Sequence, residues 1–157
     1  MRLVLYQPDI AQNAGAMMRL AACLALPLEL IEPCGFVLSD RRLRRAGMDY
    51  LAHLQLTRHA SYAAFEAWRQ GFVPPARLVL LTTRAEHSYL EFAFRPDDLL
   101  MVGRETAGVP EEVHASASAR LKIPLASGRR SLNVALAAAM VLGEALRQTR
   151  LFPESGG

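Results

Sequence analysis

Short apolar runs alternate with longer stretches of helical periodicity along the whole chain. The runs at 3–6, 28–31, 54–57, 78–82, 99–102 and 121–123 are too short for helices and read as buried strands. Between them, 13–26 carries Ala, Met, Leu and Arg at helical density and stops at Pro27. Ser39-Asp40 caps a short helix over 41–46 that Gly47 ends, and Ser61 caps a helix through Gln70 that Gly71 and Pro74-Pro75 close. Pro110 opens a helix whose first turn holds Glu111 and Glu112, suited to the positive end of the helix dipole. Ser131 caps the last helix, which runs to about Arg150. Strands alternating with helices predict an α/β domain in which one parallel sheet is covered on both faces, an α/β/α sandwich. No repeat, low-complexity tract or long linker divides the chain, so residues 1–157 read as a single domain with a frayed tail from about 152.

The last helix departs from ordinary amphipathic patterning. Leu132, Val134, Leu136, Met140, Val141 and Leu142 are separated mostly by Ala and leave almost no polar face. A helix that is apolar all round must be buried all round. Either it packs centrally or one face meets a second copy of the chain; the short domain and the close approach that Ala permits favour a homodimer.

Composition narrows the classes. Apolar residues make up 52% of the chain, too many for a disordered protein and enough for one core. Net charge is only +3, yet 17 of the 18 basic residues are Arg, with Lys122 the exception. Arg suits phosphate and carboxylate partners, although base composition of the source genome produces the same bias. Cys23 and Cys34 form no metal-ligand spacing, lie among apolar or small residues and read as buried, inert thiols; no metal is expected. The N-terminus runs straight into a strand without a signal-peptide layout, and no run is long enough for a membrane span. A cytoplasmic protein is expected.

Three polar segments break the apolar regularity, each at a strand end or helix start, where open parallel sheets bind ligands. They are 12–19 with Asn13, Gly15 and Arg19; 103–108 with Gly103, Glu105 and Gly108; and 123–133 with Ile123, Leu125, Arg129, Arg130, Ser131 and Asn133. Read singly, Asn13 is a helix cap and the glycines are turn residues. Arg19, on an otherwise apolar helix, must snorkel or point into a polar site. No nucleotide-binding glycine loop fits, because Val109-Pro110 stands where a phosphate-loop Lys and Ser/Thr belong. His53, His59, His87 and His114 lie outside these segments and none is expected to be catalytic.

Taken in order, Asn13-x-Gly15-x-x-x-Arg19, Gly103-x-Glu105-x-x-Gly108 and Ile123-Pro124 followed by Ser131-Leu132-Asn133 resemble the three motifs of the SpoU branch of the SPOUT superfamily. Its members are RNA 2′-O-methyltransferases that use S-adenosylmethionine. Leu5-Tyr6-Gln7-Pro8, Ile31-Glu32-Pro33-Cys34-Gly35-Phe36, the 43–50 segment, Thr57-Arg58-His59 and Leu81-Thr82-Thr83 are similar to its TrmL branch, which methylates the wobble nucleotide of certain leucine tRNAs. Leu136 stands where that branch often has a second Asn, and Gln12 where it often has Pro.

The resemblance implies a C-terminal trefoil knot, which periodicity cannot reveal, and a homodimer with sites at the subunit interface. It implies that S-adenosylmethionine is held by Leu81, Thr82, Gly103, Glu105, Gly108, Ile123, Leu125 and Ser131. Arg19, Asn13 and Asn133 take the catalytic roles. With the tRNA anticodon stem-loop as partner, Arg41, Arg42, Arg44, Arg45, Arg129 and Arg130 become candidate phosphate contacts. The alternative is a SpoU-type enzyme for another tRNA or rRNA position.

Overall fold

The computed structural model describes residues 1–37 and 52–154. The predicted helix over 41–46 lies outside the described residues. In chain order the elements are β1 (Arg2–Tyr6), α1 (Ala11–Cys23), β2 (Leu28–Ile31), β3 (Leu56–His59), α2 (Tyr62–Gln70), β4 (Leu78–Leu81), β5 (His87–Ser88), β6 (Leu99–Val102), α3 (Glu111–Ser116), β7 (Ala119–Lys122) and α4 (Val134–Thr149). A 3₁₀ turn, Tyr89–Glu91, follows β5. The strands form one parallel sheet in the order β3-β2-β1-β6-β4-β7-β5.

Strand side chains alternate between two cores. Leu3, Leu5, Leu28, Leu30, Val79, Leu100 and Leu121 face α1 and α4, which contribute Met17, Met18, Val141, Leu142 and Leu146. Val4, Tyr6, Leu78, Leu80, Leu99 and Met101 face α2 and α3, which contribute Phe65 and Val113. Both faces of the central strands are therefore covered, which is why β1 from Leu3, β4 and β6 read as unbroken apolar runs.

The order places β7 between β4 and β5, although β4 and β5 are consecutive in sequence. Leu81 of β4 and His87 of β5 both pair with Leu121. Residues 82–86 therefore carry the chain from one side of β7 to the other, and the segment leaving Lys122 must pass that bridge.

Several boundaries differ from the sequence reading. β3 starts two residues later than expected, because pairing Leu28 with Leu56 sets its register. β7 begins at Ala119, since Arg120 is tolerated where its guanidinium ties back to the carbonyls of His114 and Ala117. The two-residue β5 carries no periodic signal at all. The α4 cap is Asn133 rather than Ser131: its Oδ1 accepts from the Ala135 N–H at 2.9 Å and the Leu136 N–H at 3.3 Å. Ser61 caps α2 as read, accepting from the Ala64 N–H. Cys23 is exposed on the outward face of α1 and Cys34 is half-buried, so neither is the buried thiol expected.

α4 is buried on one side only. Ala138, Val141, Leu142, Ala145 and Leu146 seat on the sheet, while Leu136 is 62% and Met140 45% exposed. Central burial is thereby excluded for this face within one chain. Among the described residues, no helix is long and apolar enough to cross a membrane.

One charged residue sits fully inside the sheet. Glu29 accepts from Arg2 Nη1 at 2.9 Å and pairs with His59 Nε2 at 2.8 Å. The His59 ring packs against Phe65 and Trp68. Removing one member of such a cluster leaves the other under-satisfied, whereas removing both restores an apolar interior. His59→Leu is expected to cost about 2–4 kcal/mol in urea unfolding, and Glu29→Leu combined with it less than His59→Leu alone. A double variant as unstable as the sum of the singles would contradict this account.

Candidate functional site

The loops that follow β4, β6 and β7 meet at the carboxyl edge of the sheet, where parallel sheets place their ligands. Together with the start of α1 and the approach to α4 they enclose a cleft of about 1110 Å³. Its size slightly exceeds the usual range of small-molecule sites, which run to about 1,000 Å³.

The middle loop owes its shape to two glycines. Arg104 and Gly108 exchange backbone hydrogen bonds, N–H to O, at 2.9 Å in both directions. That closes 103–108 so tightly that a Cβ on Gly103 would lie 2.8 Å from the Gly108 carbonyl carbon. Gly108 has φ +65°, a left-handed conformation that side chains disfavour. Space beside Gly108 is open, so ligand atoms can approach its backbone.

A directional chain of hydrogen bonds lines one wall. The Glu105 carboxylate accepts from the Asp9 N–H at 2.8 Å and from Asn13 Nδ2 at 3.1 Å. Because a carboxylate only accepts, the Asn13 amide must turn its nitrogen to Glu105 and its oxygen away. That oxygen accepts from Asn133 Nδ2 at 2.9 Å. Asn133 therefore presents its own oxygen to the first N–H groups of α4. Both amide orientations follow from their partners rather than from an arbitrary choice. Asn13 is thus not a helix cap: it lies inside α1, whose cap position is Ile10.

All the residues expected to hold a cofactor line this single cleft: Leu81, Thr82, Gly103, Glu105, Gly108, Ile123, Leu125 and Ser131. Asn13, Asn133, Arg129 and Arg130 line it too. Arg19 does not. It is exposed on α1, six residues from Asn13, which places it about 9 Å along the axis and about 120° round the helix. Arg41, Arg42, Arg44 and Arg45 lie outside the described residues.

Sequence reasoning missed several residues. Asp9 accepts from Arg104 Nε at 3.0 Å and Nη2 at 2.7 Å, and from the backbone and hydroxyl of Thr106. The Arg104 hydrogen bonds, then those of Thr106, hold its carboxyl below the usual carboxylate range. The contribution of that ionised carboxylate to stability is complete above about pH 4 and is lost as pH falls through its lowered value. Its signal in the sequence was only an acidic residue in a turn. Arg84, His114 and Lys122 also line the cleft. Arg84 pairs with Glu111 at 2.9 Å. Burial, and then the Arg84 charge, lower the His114 pKa and keep the ring neutral at pH 7.

The chemistry of the wall suits a flat ligand with polar edges. Backbone polar groups of 103–108 and the apolar sides of Leu81, Ile123 and Leu125 can hold a flat base without a charged clamp. Leu81, Ile123 and Leu125 are half-buried, leaving apolar surface for such a ligand to cover.

Known proteins resemble this chain over most of its length. Residues 1–143 match the model of the SpoU rRNA Methylase family. A tRNA (cytidine(34)-2′-O)-methyltransferase of Beijerinckia indica is 62% identical over 146 residues, covering 93% of this chain and 90% of its own length. A solved structure described as giving insights into the 2-OH methylation of C/U34 on tRNA superposes with a TM-score of 0.84 at 49% identity, covering 94% of each chain. The SpoU methyltransferase AviRb of Streptomyces viridochromogenes, solved with its cofactor AdoMet, superposes with a TM-score of 0.83 at 27% identity, over 94% of this chain and 57% of its own.

The closure of 103–108 gives a direct test. In Gly103→Ala the added methyl meets backbone rather than a movable side chain, so the loop must open. Urea unfolding is expected to show a loss of about 1–3 kcal/mol, the usual cost of overpacking. A wild-type midpoint would mean that the Arg104–Gly108 pair does not fix the loop.

Proposed function

This chain belongs to the SpoU methylase family, and we propose that it transfers a methyl group from S-adenosylmethionine to the ribose 2′-hydroxyl of the tRNA wobble nucleotide, position 34. Leucine tRNAs are the substrates in this reading, with cytidine or a modified uridine at the wobble position, and the reaction takes place in the cytoplasm. The observation that carries it is the convergence of Leu81–Thr82, the closed 103–108 loop and 123–131 on one cleft whose wall is the Glu105–Asn13–Asn133 chain. The relatives named for position 34 support the choice of nucleotide.

The cofactor, when bound, supplies an electrophilic methyl group on a sulfonium. This chain's own residues hold, orient and balance charge. The backbone of 103–108 and the apolar sides of Leu81, Ile123 and Leu125 hold the nucleoside half. Asn13 and Asn133 stand with fixed amides beside the reacting groups, and such positioning supplies about 7–11 kcal/mol at best. Arg19 holds the phosphate next to the target ribose and stabilises the charge that grows on the 2′-oxygen. Guanidinium groups are not deprotonated in proteins, so Arg19 is not the base, and the 2′-hydroxyl proton passes to solvent water as the methyl group arrives.

Residues 1–157 form one catalytic domain in this reading, with β7 and its bridge as part of a trefoil knot. The functional unit is a homodimer. A second copy covers the outward stripe of α4, including Leu136 and Met140, and brings Arg19 to a cleft it does not line within its own chain. Arg129 and Arg130 at the cleft, with Arg41, Arg42, Arg44 and Arg45, contact phosphates of the anticodon stem-loop.

Mapping of 2′-O-methyl groups in tRNA incubated with the protein and S-adenosylmethionine is expected to show modification at position 34. A methyl group found only in rRNA or at another tRNA position would replace this assignment with another SpoU activity. Arg19→Ala is expected to lose turnover by more than 100-fold, the size of loss typical when a transition-state donor is removed, while titration with S-adenosylhomocysteine shows unchanged affinity. Loss of cofactor affinity instead would move Arg19 out of the catalytic role.

A further inference from the structure

Asp9 sits in the turn between β1 and α1 and does not line the cleft, yet its contacts converge on the residue that does. Its carboxylate grips both neighbours of Glu105. Oδ1 accepts two bonds from Arg104, at 3.0 and 2.7 Å, and Oδ2 accepts from the Thr106 N–H at 3.3 Å and from the Thr106 hydroxyl. In return the Asp9 N–H donates to Glu105 Oε2 at 2.8 Å. The two loops are thus clasped reciprocally, each carboxylate satisfied by the other's segment.

Charge explains why the clasp needs all its members. The Arg104 guanidinium, bound to Asp9, also lies within electrostatic reach of Glu105, so one cation serves both carboxylates. Arg104 lines the cleft but is already bound to Asp9 at 2.7 Å. The loop after β2 closes the back of the clasp. The Gly35 N–H donates to the Pro8 carbonyl at 2.9 Å, and a Cβ on Gly35 would stand 2.9 Å from Asp9 Cα.

We propose that Asp9 is a positioning residue for methyl transfer: held by Arg104 and Thr106, it sets the Glu105 carboxylate and through it the Asn13 and Asn133 amides. The inference rests on the function proposed above. The ends of 103–108 are closed by their own Arg104–Gly108 pair, and Asp9 adds a tie at Thr106 in the middle of the loop. Loss of Asp9 therefore acts more on catalysis than on cofactor binding.

Asp9→Asn tests this in the full-length protein, since the new amide must turn a donor towards either Arg104 or Thr106. At saturating S-adenosylmethionine and tRNA, kcat is expected to fall about 10- to 100-fold, the scale of a misplacement near 1 Å. Affinity for S-adenosylhomocysteine stays within about threefold by titration calorimetry, the loss being confined to positioning. The side-chain amide NMR signals of Asn13 and Asn133 shift. In a Glu105→Gln background the same substitution costs less than about threefold, because residues acting in series are not additive. Wild-type kcat with unshifted amides overturns the proposal. So does an equal loss in both backgrounds, or a fall in kcat matched by the fall in cofactor affinity. Should Asp9→Asn fail to fold, Arg104→Gln, which keeps Asp9, must show the same pattern at smaller size or the proposal falls. If the wild-type protein methylates no tRNA, the function proposed above fails, and the amide signals still decide whether Asp9 sets the two asparagines.

Discussion

A carboxylate at one end and a helix N-terminus at the other impose a direction on everything between them. Glu105 can only accept hydrogen bonds, and the first N–H groups of α4 can only donate. Asn13 and Asn133 span the gap and have no freedom in how their amides turn. The chain joins positions separated by 92 and 120 residues. The negative charge of Glu105 and the partial positive charge of the α4 terminus polarise it in the same sense. This series ties the first helix, the loop after β6 and the last helix together at the cleft, on top of the core that the two helices share.

The sheet supplies the frame for that series. β1, β6, β4 and β7 are neighbours and run in parallel, so the chain leaves each of them at the same edge. The loops after β4, β6 and β7 wall the cleft, while the turn after β1 clasps one of them from outside through Asp9. A parallel sheet lets distant segments meet without any local signal in their sequences.

That is also where legibility stopped. Strand 99–102 was readable to the residue, because a strand buried on both faces must be apolar throughout. The Ser61 cap was readable, because a cap is a contact across three residues. The α4 cap was misplaced to Ser131, because the sequence offers two polar residues and only the pairing with Asn13 selects Asn133. Glu29 passed unremarked in an apolar run, since its partners Arg2 and His59 are 27 and 30 residues away. Asp9 went unread for the same reason at 95 residues. The three polar segments of the cleft were legible from their places at strand ends, whereas the roles of single residues came through the ordered motifs of a family, which carry the outcome of long-range contacts that periodicity does not express. Arg19 was legible only as a choice between solvent and a polar site, and the fold sets it on the exposed side of α1.

The placement of β7 has a further consequence. The cleft needs the 82–84 segment, the 103–108 loop and the 123–133 approach to be present together, and these are the parts of the chain that come together at the bridge over β7. A chain whose C-terminal segment has not yet passed that bridge lacks a wall of its cleft and the Asn133 end of its amide chain. During synthesis the cleft therefore stays incomplete until the 123–133 approach and the first turn of α4 have joined the loops after β4 and β6.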